Sequence, residues 1–125
     1  MLSLWADSRA SSAVTVDTVE AVEAVIEQPG SELLLAFSPE SLVGTLVVGW
    51  DGWRGNMYRL AVREDMRRRG IALALVEAGH EHLRSIGARR VTALVGREET
   101  AARELWRAAG YEADPVHGRF VRNLV

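Results

Sequence analysis

The chain has 125 residues, which fits one domain with a single hydrophobic core, and its 48% hydrophobic and 26% charged residues are those of a soluble globular protein. It contains no cysteine, which excludes disulfide bonds, thiolate zinc sites and a cysteine nucleophile. The net charge is -2, no apolar run is long enough to cross a bilayer, and the N-terminus lacks the pattern of a secretion signal, so we expect a cytoplasmic protein that binds no membrane.

The first half of the sequence predicts one helix followed by three strands. The helix begins at Asp17, a capping residue with Glu20 three positions later, and it stops before Pro29. Apolar runs then indicate strands over 32–37, 42–50 and 55–62. The pair Asp51-Gly52 between the last two strands is typical of a hairpin, so the three strands should form an antiparallel meander.

The second half alternates strands and helices. Helical spacing of apolar residues runs from Gly70 to Gly87, a strand is expected over 89–95, and a second helix over 100–110 ends in glycine. Two short strands are expected around a turn at 114–118. A meander followed by strand, helix, strand, helix and strand predicts an α+β fold with a mixed, mostly antiparallel sheet that includes a parallel pair.

An anion site is expected where the third strand gives way to the helix that starts at Gly70. The first N-H groups of a helix have no partner inside it and the helix dipole is positive there, so a glycine at this point lets a phosphate approach the backbone. Three arginines, at 67, 68 and 69, precede the glycine, and residues 51–125 contain fourteen of the fifteen arginines. The alternative is that these arginines are simply solvated. Nucleic-acid binding is disfavoured because the net charge is negative and no stripe of interleaved aromatic and basic residues is present.

Four segments in the same order resemble the GNAT superfamily of acetyl-coenzyme A dependent N-acetyltransferases. "RRRGIA" (67–72) looks like the family motif R/Q-x-x-G-x-G/A, "LAV" (60–62) resembles the strand that pairs with pantetheine, "AARELWRAAGY" (101–111) resembles the later helix, and "GWDGWRG" (49–55) is similar to a hairpin of small bacterial members. The resemblance implies the GNAT fold, with a splayed parallel pair of strands flanked by helices. It also implies acetyl-coenzyme A as cosubstrate, no metal, and transfer of the acetyl group to a primary amine of a small molecule or a protein.

The resemblance further assigns the cofactor contacts. The pyrophosphate would lie on the turn formed by Arg67, Arg68, Arg69, Gly70, Ile71 and Ala72. The pantetheine arm would pair with the backbone of Leu60, Ala61 and Val62, and the amide of Val62 could polarise the thioester carbonyl as an oxyanion hole does.

The expected acid and base of the family are both replaced in this chain. Trp106 stands where many relatives have a tyrosine that protonates the leaving thiolate, and we expect it to pack either over the thioester arm or in the core. Asn56 stands where relatives have a glutamate base and can hold a water but accept no proton. Tyr58 shares a strand face with Asn56 and is the candidate acid, the alternative being a packing role. A weakly active or non-catalytic acetyl-coenzyme A binding module is therefore the competing function.

Three further expectations concern metals, the hairpin and assembly. His80 and His82 point in different directions on one helix, so they are predicted to face solvent and to bind no metal. Trp50, Asp51 and Trp53 at the hairpin either cover a neighbouring subunit, line the acceptor pocket or simply pack. The first strand of the fold is expected to be missing, and together with the aromatic hairpin this favours a homodimer.

Overall fold

The computed structural model of the chain describes residues 4–5 and 18–124. Leu4 and Trp5 are helical. The elements that follow are α1 (Val19–Glu27), β1 (Glu32–Phe37), β2 (Leu42–Trp50), β3 (Gly55–Val62), a short 3-10 helix (Glu64–Met66), α2 (Ile71–Ser85), β4 (Val91–Ala93) and α3 (Thr100–Ala108).

The first helix is capped one residue later than the sequence suggests. The side chain of Thr18 accepts a hydrogen bond from the amide of Ala21 at 3.1 Å and so satisfies one of the unpaired N-H groups of the first turn. The predicted cap, Asp17, lies outside the described residues.

The four strands form one mixed sheet in the order β1-β2-β3-β4. β1, β2 and β3 are antiparallel neighbours, whereas β3 and β4 are parallel. β4 pairs only with Gly55, Asn56 and Met57, while β3 continues to Val62. The parallel pair therefore separates beyond Met57 and leaves a gap along the second half of β3, so the predicted α+β class and mixed sheet are confirmed.

A β-bulge interrupts β3 just after the point where β4 leaves it. Val47 lies opposite Tyr58, but Thr45 lies opposite Ala61, so β3 carries one residue more than β2 across this interval. Arg59, inside the bulge, has a φ of 55°, which is in the left-handed region.

The two faces of the sheet are covered differently. On one face α2 and α3 bury a core of Leu46, Val48, Met57, Leu75, Val76, Leu83 and Trp106. On the other face a smaller cluster joins the N-terminal helical residues and α1 to the sheet through Trp5, Val22, Val47 and Ala61. β2 is consequently buried on both sides, and apart from Thr45 its sequence is apolar rather than alternating.

Two sequence expectations differ from the structure or lie beyond it. The predicted short strands around 114–118 are not formed, because after α3 the described chain to residue 124 has no regular element and leaves Phe120 fully exposed. Alternating apolar residues specify a strand only if a sheet edge is there to pair with them, which a sequence pattern alone does not reveal. The expectation of a missing first strand falls on residues 1–17, most of which lie outside the described part. No helix of the described ranges is long and apolar enough to cross a membrane.

The first prediction concerns Gly79, which allows α2 to approach the sheet closely. A Cβ at this position would lie 2.6 Å from the terminal methyl of Met57, 3.1 Å from Val48 and 3.3 Å from Leu46, all fully buried side chains. We expect Gly79→Val to lower the free energy of unfolding by about 2–3 kcal/mol, since an overpacked core must shift to admit the added atoms. Urea denaturation followed by circular dichroism measures this change.

Ala78→Val is the matched control, because Ala78 is the exposed preceding residue of the same helix. The same side chain there should cost less than about 0.7 kcal/mol, the scale of helix propensity differences. Equal destabilisation by the two variants would contradict the close packing of α2 on the sheet.

Candidate active site

The turn between β3 and α2 presents backbone amides at the start of a long helix. Gly70 is the N-cap of α2 with a φ of 81°, and Arg68 also has a positive φ of 63°. The first helical hydrogen bond runs from the amide of Ala74 to the carbonyl of Gly70 at 3.0 Å. Within the described residues no partner accepts from the amides of 68–73, so this turn is open to an anion.

The arginines around this turn differ in what they bind. Arg63 pairs with Asp65 at 2.6 Å, and this guanidinium holds the pKa of the Asp65 carboxyl below its usual range. Arg67 donates from Nε to the carbonyl of Val62 at 3.0 Å and so ties the turn to the end of β3. Arg68 and Arg69 are exposed and form no ion pair or hydrogen bond with another described residue. Their charge is therefore available to a ligand at the turn.

The backbone of Val62 faces the gap between β3 and β4. Along an antiparallel ladder, successive residues alternate between facing the neighbouring strand and facing away from it. The backbone amide of Arg63 donates to the carbonyl of Val43 in β2 at 2.8 Å, so the backbone groups of Val62 face away from β2. The hydrogen bond from Nε of Arg67 to the carbonyl of Val62 agrees with this direction. Ala61, opposite Thr45, is the next residue and faces β2. The predicted backbone contact with a cofactor arm therefore fits Val62 better than Ala61.

The predicted catalytic residues Asn56 and Tyr58 lie together on the face of β3 that α1 covers. They line a cavity of about 260 Å³ whose other walls are Ala24, Val25, Gln28, Ser31, Trp50 and Asp51. Tyr58 reaches across to β2, where a methyl group added to Gly49 would overlap its hydroxyl. Trp50 and Asp51 thus line the cavity, whereas Trp53 is 75% exposed under the guanidinium of Arg54.

One carboxylate lies at this cavity. Among the described residues that line it, only Asp51 has a side chain that is charged at neutral pH. Its Oδ1 accepts from the amides of Arg54 at 2.5 Å and Trp53 at 2.8 Å, and these hydrogen bonds lower the pKa of the carboxyl. Burial, with a smaller contribution from Asp51, raises the pKa of Tyr58, so its phenol is protonated at neutral pH. Oδ2 of Asp51 also forms an ion pair with Nε of Arg54 at 3.6 Å, which partly balances its charge. The cavity therefore holds one paired carboxylate and one weak acid.

The cavity and the phosphate turn lie at opposite ends of β3. Strand spacing puts Tyr58 about 13 Å and Asn56 about 20 Å from Val62 along the chain. An acyl group beside Tyr58 would then be out of reach of the Val62 amide. If Tyr58 is the acid, this spacing favours a contact of the Val62 amide with the cofactor arm rather than with the thioester carbonyl.

Trp106 occupies the core on the opposite face of the sheet. It is 7% exposed and packs edge-to-face on Tyr111, with ring centroids 4.8 Å apart. Met57 belongs to the same core, and because strand residues alternate, its neighbours Asn56 and Tyr58 point to the other face. Of the two positions considered for Trp106, the core is the one observed, and contact with a cofactor stays a prediction.

His80 and His82 are partly buried and hydrogen-bonded, so the expectation that they face solvent is wrong. His80 lies 2.8 Å through Nε2 from the hydroxyl of Tyr111 and 3.3 Å through Nδ1 from Glu77. His82 donates from Nε2 to the carbonyl of Gly30 at 2.7 Å. Both rings link α2 to distant segments, and helix periodicity carries no signal for such tertiary contacts. No group of three potential metal-ligating side chains occurs among the described residues.

Sequence reasoning missed the contribution of α1 to the cavity. Gln28 and Ser31 line it from the end of this helix and the following turn, and the hydroxyl of Ser31 also accepts from the amide of Trp50 at 3.2 Å. Their position depends on where α1 packs on the sheet, and no local pattern in the sequence specifies that.

Comparison with known proteins shows the family to which the chain belongs. Residues 2–111 match the acetyltransferase (GNAT) family, so the chain belongs to that family. It is 34% identical to "Acetyltransferase ECA0875" of Pectobacterium atrosepticum over 71 residues. This match covers 57% of this chain and 50% of the relative. The chain spans about half the length of the curated relatives it matches.

Two solved structures share the fold at low identity. A putative acetyltransferase from Agrobacterium tumefaciens has a TM-score of 0.77 at 19% identity, over 97% of this chain and 90% of the other. The aminoglycoside N-acetyltransferase AAC(6')-Iy, solved in complex with CoA, has a TM-score of 0.73 at 17% identity, over 86% of each chain. The fold is therefore that of GNAT acetyltransferases.

The second prediction concerns the two tyrosines of the chain, which lie on opposite faces of the sheet. Burial, with a smaller contribution from Glu77, raises the pKa of Tyr111 to about 12, from 10.0. A raised phenol pKa stabilises the fold fully below pH 10, and this contribution disappears as the pH rises through about 12. In Tyr58→Phe, the absorbance titration of the folded protein should therefore show one phenol ionising near pH 12.

The titration of Tyr111→Phe provides the comparison. The remaining phenol, Tyr58, should ionise above its ordinary value, and unfolding either variant in denaturant should return the titration to about 10. Ionisation of Tyr111 at its ordinary pKa in the folded protein would contradict the buried contact with His80.

Proposed function

We propose that the protein transfers an acetyl group from acetyl-coenzyme A directly to a primary amine. The observation that carries the proposal is the turn Arg67–Ala72, where unpaired amides, positive backbone angles and the two exposed arginines 68 and 69 meet at the start of α2 beside the gap in the sheet. A diphosphate satisfies all of these groups at once. CoA is bound by a structural neighbour of the same fold.

The cofactor would run from the turn into the gap along β3. Arg67, Arg68 and Arg69 would surround the pyrophosphate, and the amides at and after Gly70, including those of Ile71 and Ala72, would hold it. The pantetheine arm would then take the place of a further strand beside Leu60 and Val62. Because β4 diverges beyond Met57, the arm has unpaired backbone to bind there.

The cavity around Asn56 and Tyr58 is the proposed acceptor site. The carboxylate of Asp51, the charged side chain among its described lining residues, would attract an ammonium group. Direct transfer needs the free amine, whose nitrogen attacks the thioester carbonyl to give a tetrahedral intermediate. Asn56 can hold a water that takes the amine proton, although the amide itself accepts none.

Collapse of the intermediate breaks the carbon-sulfur bond and releases the thiolate of coenzyme A. Tyr58 is the proposed acid, because its raised pKa keeps the phenol protonated at neutral pH. A proton from Tyr58 yields the free thiol, and the proton lost by the amine restores the phenol through water. Tyr111, the other tyrosine, is not placed for this role, since it lies on the opposite face of the sheet and bonds His80.

A homodimer is the proposed assembly. Trp53 at the hairpin and Phe120 in the C-terminal segment are large exposed apolar side chains. Surfaces of this kind on small proteins are commonly hidden in an interface.

The third prediction tests cofactor binding at the turn. At about a hundred times its dissociation constant, acetyl-coenzyme A should stabilise the unmodified protein by roughly 2.7 kcal/mol and raise its melting temperature by several degrees. Gly70→Asp should abolish this shift because it places a carboxylate at the phosphate site. Differential scanning fluorimetry with and without the cofactor measures both.

Gly87→Asp is the control for backbone strain. Gly87 has a φ of 89° and, like Gly70, has nothing within 4 Å of an added Cβ, but it lies at the other end of α2. This variant should lose a similar amount of stability and keep the cofactor-induced shift. A full shift in Gly70→Asp would refute the assignment of the turn.

The fourth prediction tests the acid. General acid-base catalysis contributes about 10²- to 10⁴-fold, and a thiolate is a good leaving group, so we expect Tyr58→Phe to lower kcat by roughly 10- to 100-fold. The dissociation constant for acetyl-coenzyme A should stay unchanged, because Tyr58 lies outside the cofactor turn. Thiol release is measured with the best acceptor of an amine panel.

Tyr111→Phe serves as the matched control, since it removes the other phenol from the opposite face and should leave kcat unchanged. Full turnover in Tyr58→Phe would make Tyr58 a packing residue. Tight cofactor binding by the unmodified protein without acetylation of any amine would favour the non-catalytic binding module.

A further inference from the structure

A fully buried hydroxyl lies opposite the bulge in β3. Thr45 is 0% exposed and is the buried polar side chain of the described core. Its Oγ1 accepts a hydrogen bond from Nε1 of Trp5 at 2.6 Å and donates one to the carbonyl of Arg59 at 3.0 Å. An indole N-H can only donate and a carbonyl can only accept, so the direction of both bonds is fixed and the hydroxyl is satisfied in both roles.

The bulge decides which way the backbone of Val62 faces. Near the hairpin, the amide of Asp51 bonds the carbonyl of Arg54, which makes this pair the hydrogen-bonded kind. Continued without interruption, that register would set Val62 opposite Val43 and direct its amide into β2. The extra residue shifts the ladder by one position, so that Arg63 bonds Val43 instead and Val62 turns to the gap.

The bulge is held in an unfavourable backbone conformation. Arg59 adopts a φ of 55°, and a non-glycine residue in this region is strained unless its surroundings compensate. The hydroxyl of Thr45 donates a hydrogen bond to the carbonyl of this same residue, and a hydroxyl supplies both the donor and the acceptor that this site uses.

We propose that Thr45 is a positioning residue for the cofactor, whose hydroxyl fixes the bulge and thereby keeps the Val62 amide directed into the gap. The cofactor part of this inference rests on the proposed function. The structural part does not, since the direction of an amide can be measured without any ligand.

Thr45→Val tests the proposal, because valine keeps the shape of threonine and removes both hydrogen bonds. We expect the dissociation constant of coenzyme A, measured by calorimetry, to rise about tenfold, equivalent to ~1.4 kcal/mol. Thr45→Ser retains the hydroxyl and should restore binding close to that of the unmodified protein. The KM for acetyl-coenzyme A should rise in Thr45→Val more than kcat falls.

Two controls separate positioning from loss of stability. Trp5→Phe removes the bond to the hydroxyl from the other side but leaves Thr45 bonded to Arg59, so stability should fall while cofactor affinity is kept. Val48→Ala makes a cavity in the core beyond the other face of the sheet and should also leave affinity unchanged. An equal loss of affinity in Val48→Ala and Thr45→Val at matched melting temperatures would overturn the proposal.

Amide hydrogen exchange supplies a readout that needs no cofactor. In the unmodified protein the amide of Val62 should exchange faster than those of Ala61 and Arg63, which face β2, and in Thr45→Val this contrast should shrink. An unchanged contrast in Thr45→Val would overturn the proposal even if affinity fell. If the exchange contrast at Val62 is as expected but the unmodified protein does not bind coenzyme A, the proposed function is refuted. The role of Thr45 in the bulge then stands.

Discussion

A strand can offer the backbone groups of each residue to only one side, and this constraint governs the arrangement of the whole sheet. β3 must bond β2 along its full length, bond β4 at its beginning, and expose backbone at its end. A regular strand would keep one alternation throughout and would turn Val62 toward β2. The extra residue at Arg59 resolves the conflict, because it lets β3 stay paired with β2 while it reverses the alternation beyond Tyr58.

The side chains of β3 also alternate, and the residues on its two faces have different roles. Residues on one side of β3, such as Met57, pack under α2 and α3 in the main core, and Trp106 and Tyr111 belong to that side. Their neighbours Asn56 and Tyr58 point to the smaller α1 side, which leaves a cavity. Trp106, which the family motif aligns with a catalytic tyrosine, therefore packs in the core here, while the phenol of Tyr58 on the other face lies at the proposed acceptor cavity.

Local patterns in the sequence predict the elements that local physics specifies. The apolar runs of β1, β2 and β3, the hairpin at Asp51-Gly52 and the turn before Gly70 all follow from residue types at short spacing. The contacts of His80 and His82 could not be predicted, because they reach segments about thirty and fifty residues away in the chain, at Tyr111 and Gly30. The hydroxyl of Thr45 carries no signal either, since threonine is common in strands and its role depends on the bulge across from it.

Charged groups lie near both ends of β3. Asp51, the charged residue among the described lining of the cavity, lies at the hairpin end, whereas the three arginines 67–69 of the turn follow the other end. Under the proposed function, the anionic cofactor approaches one end of β3 and the cationic acceptor approaches the other, so each ligand is attracted to its own end and repelled from the opposite one. Under the same proposal, the cofactor arm carries the acetyl group along β3, and the two ligands meet beside Tyr58. The charges at the two ends then direct each ligand to its place, although none of the described charged residues lies at the reacting atoms.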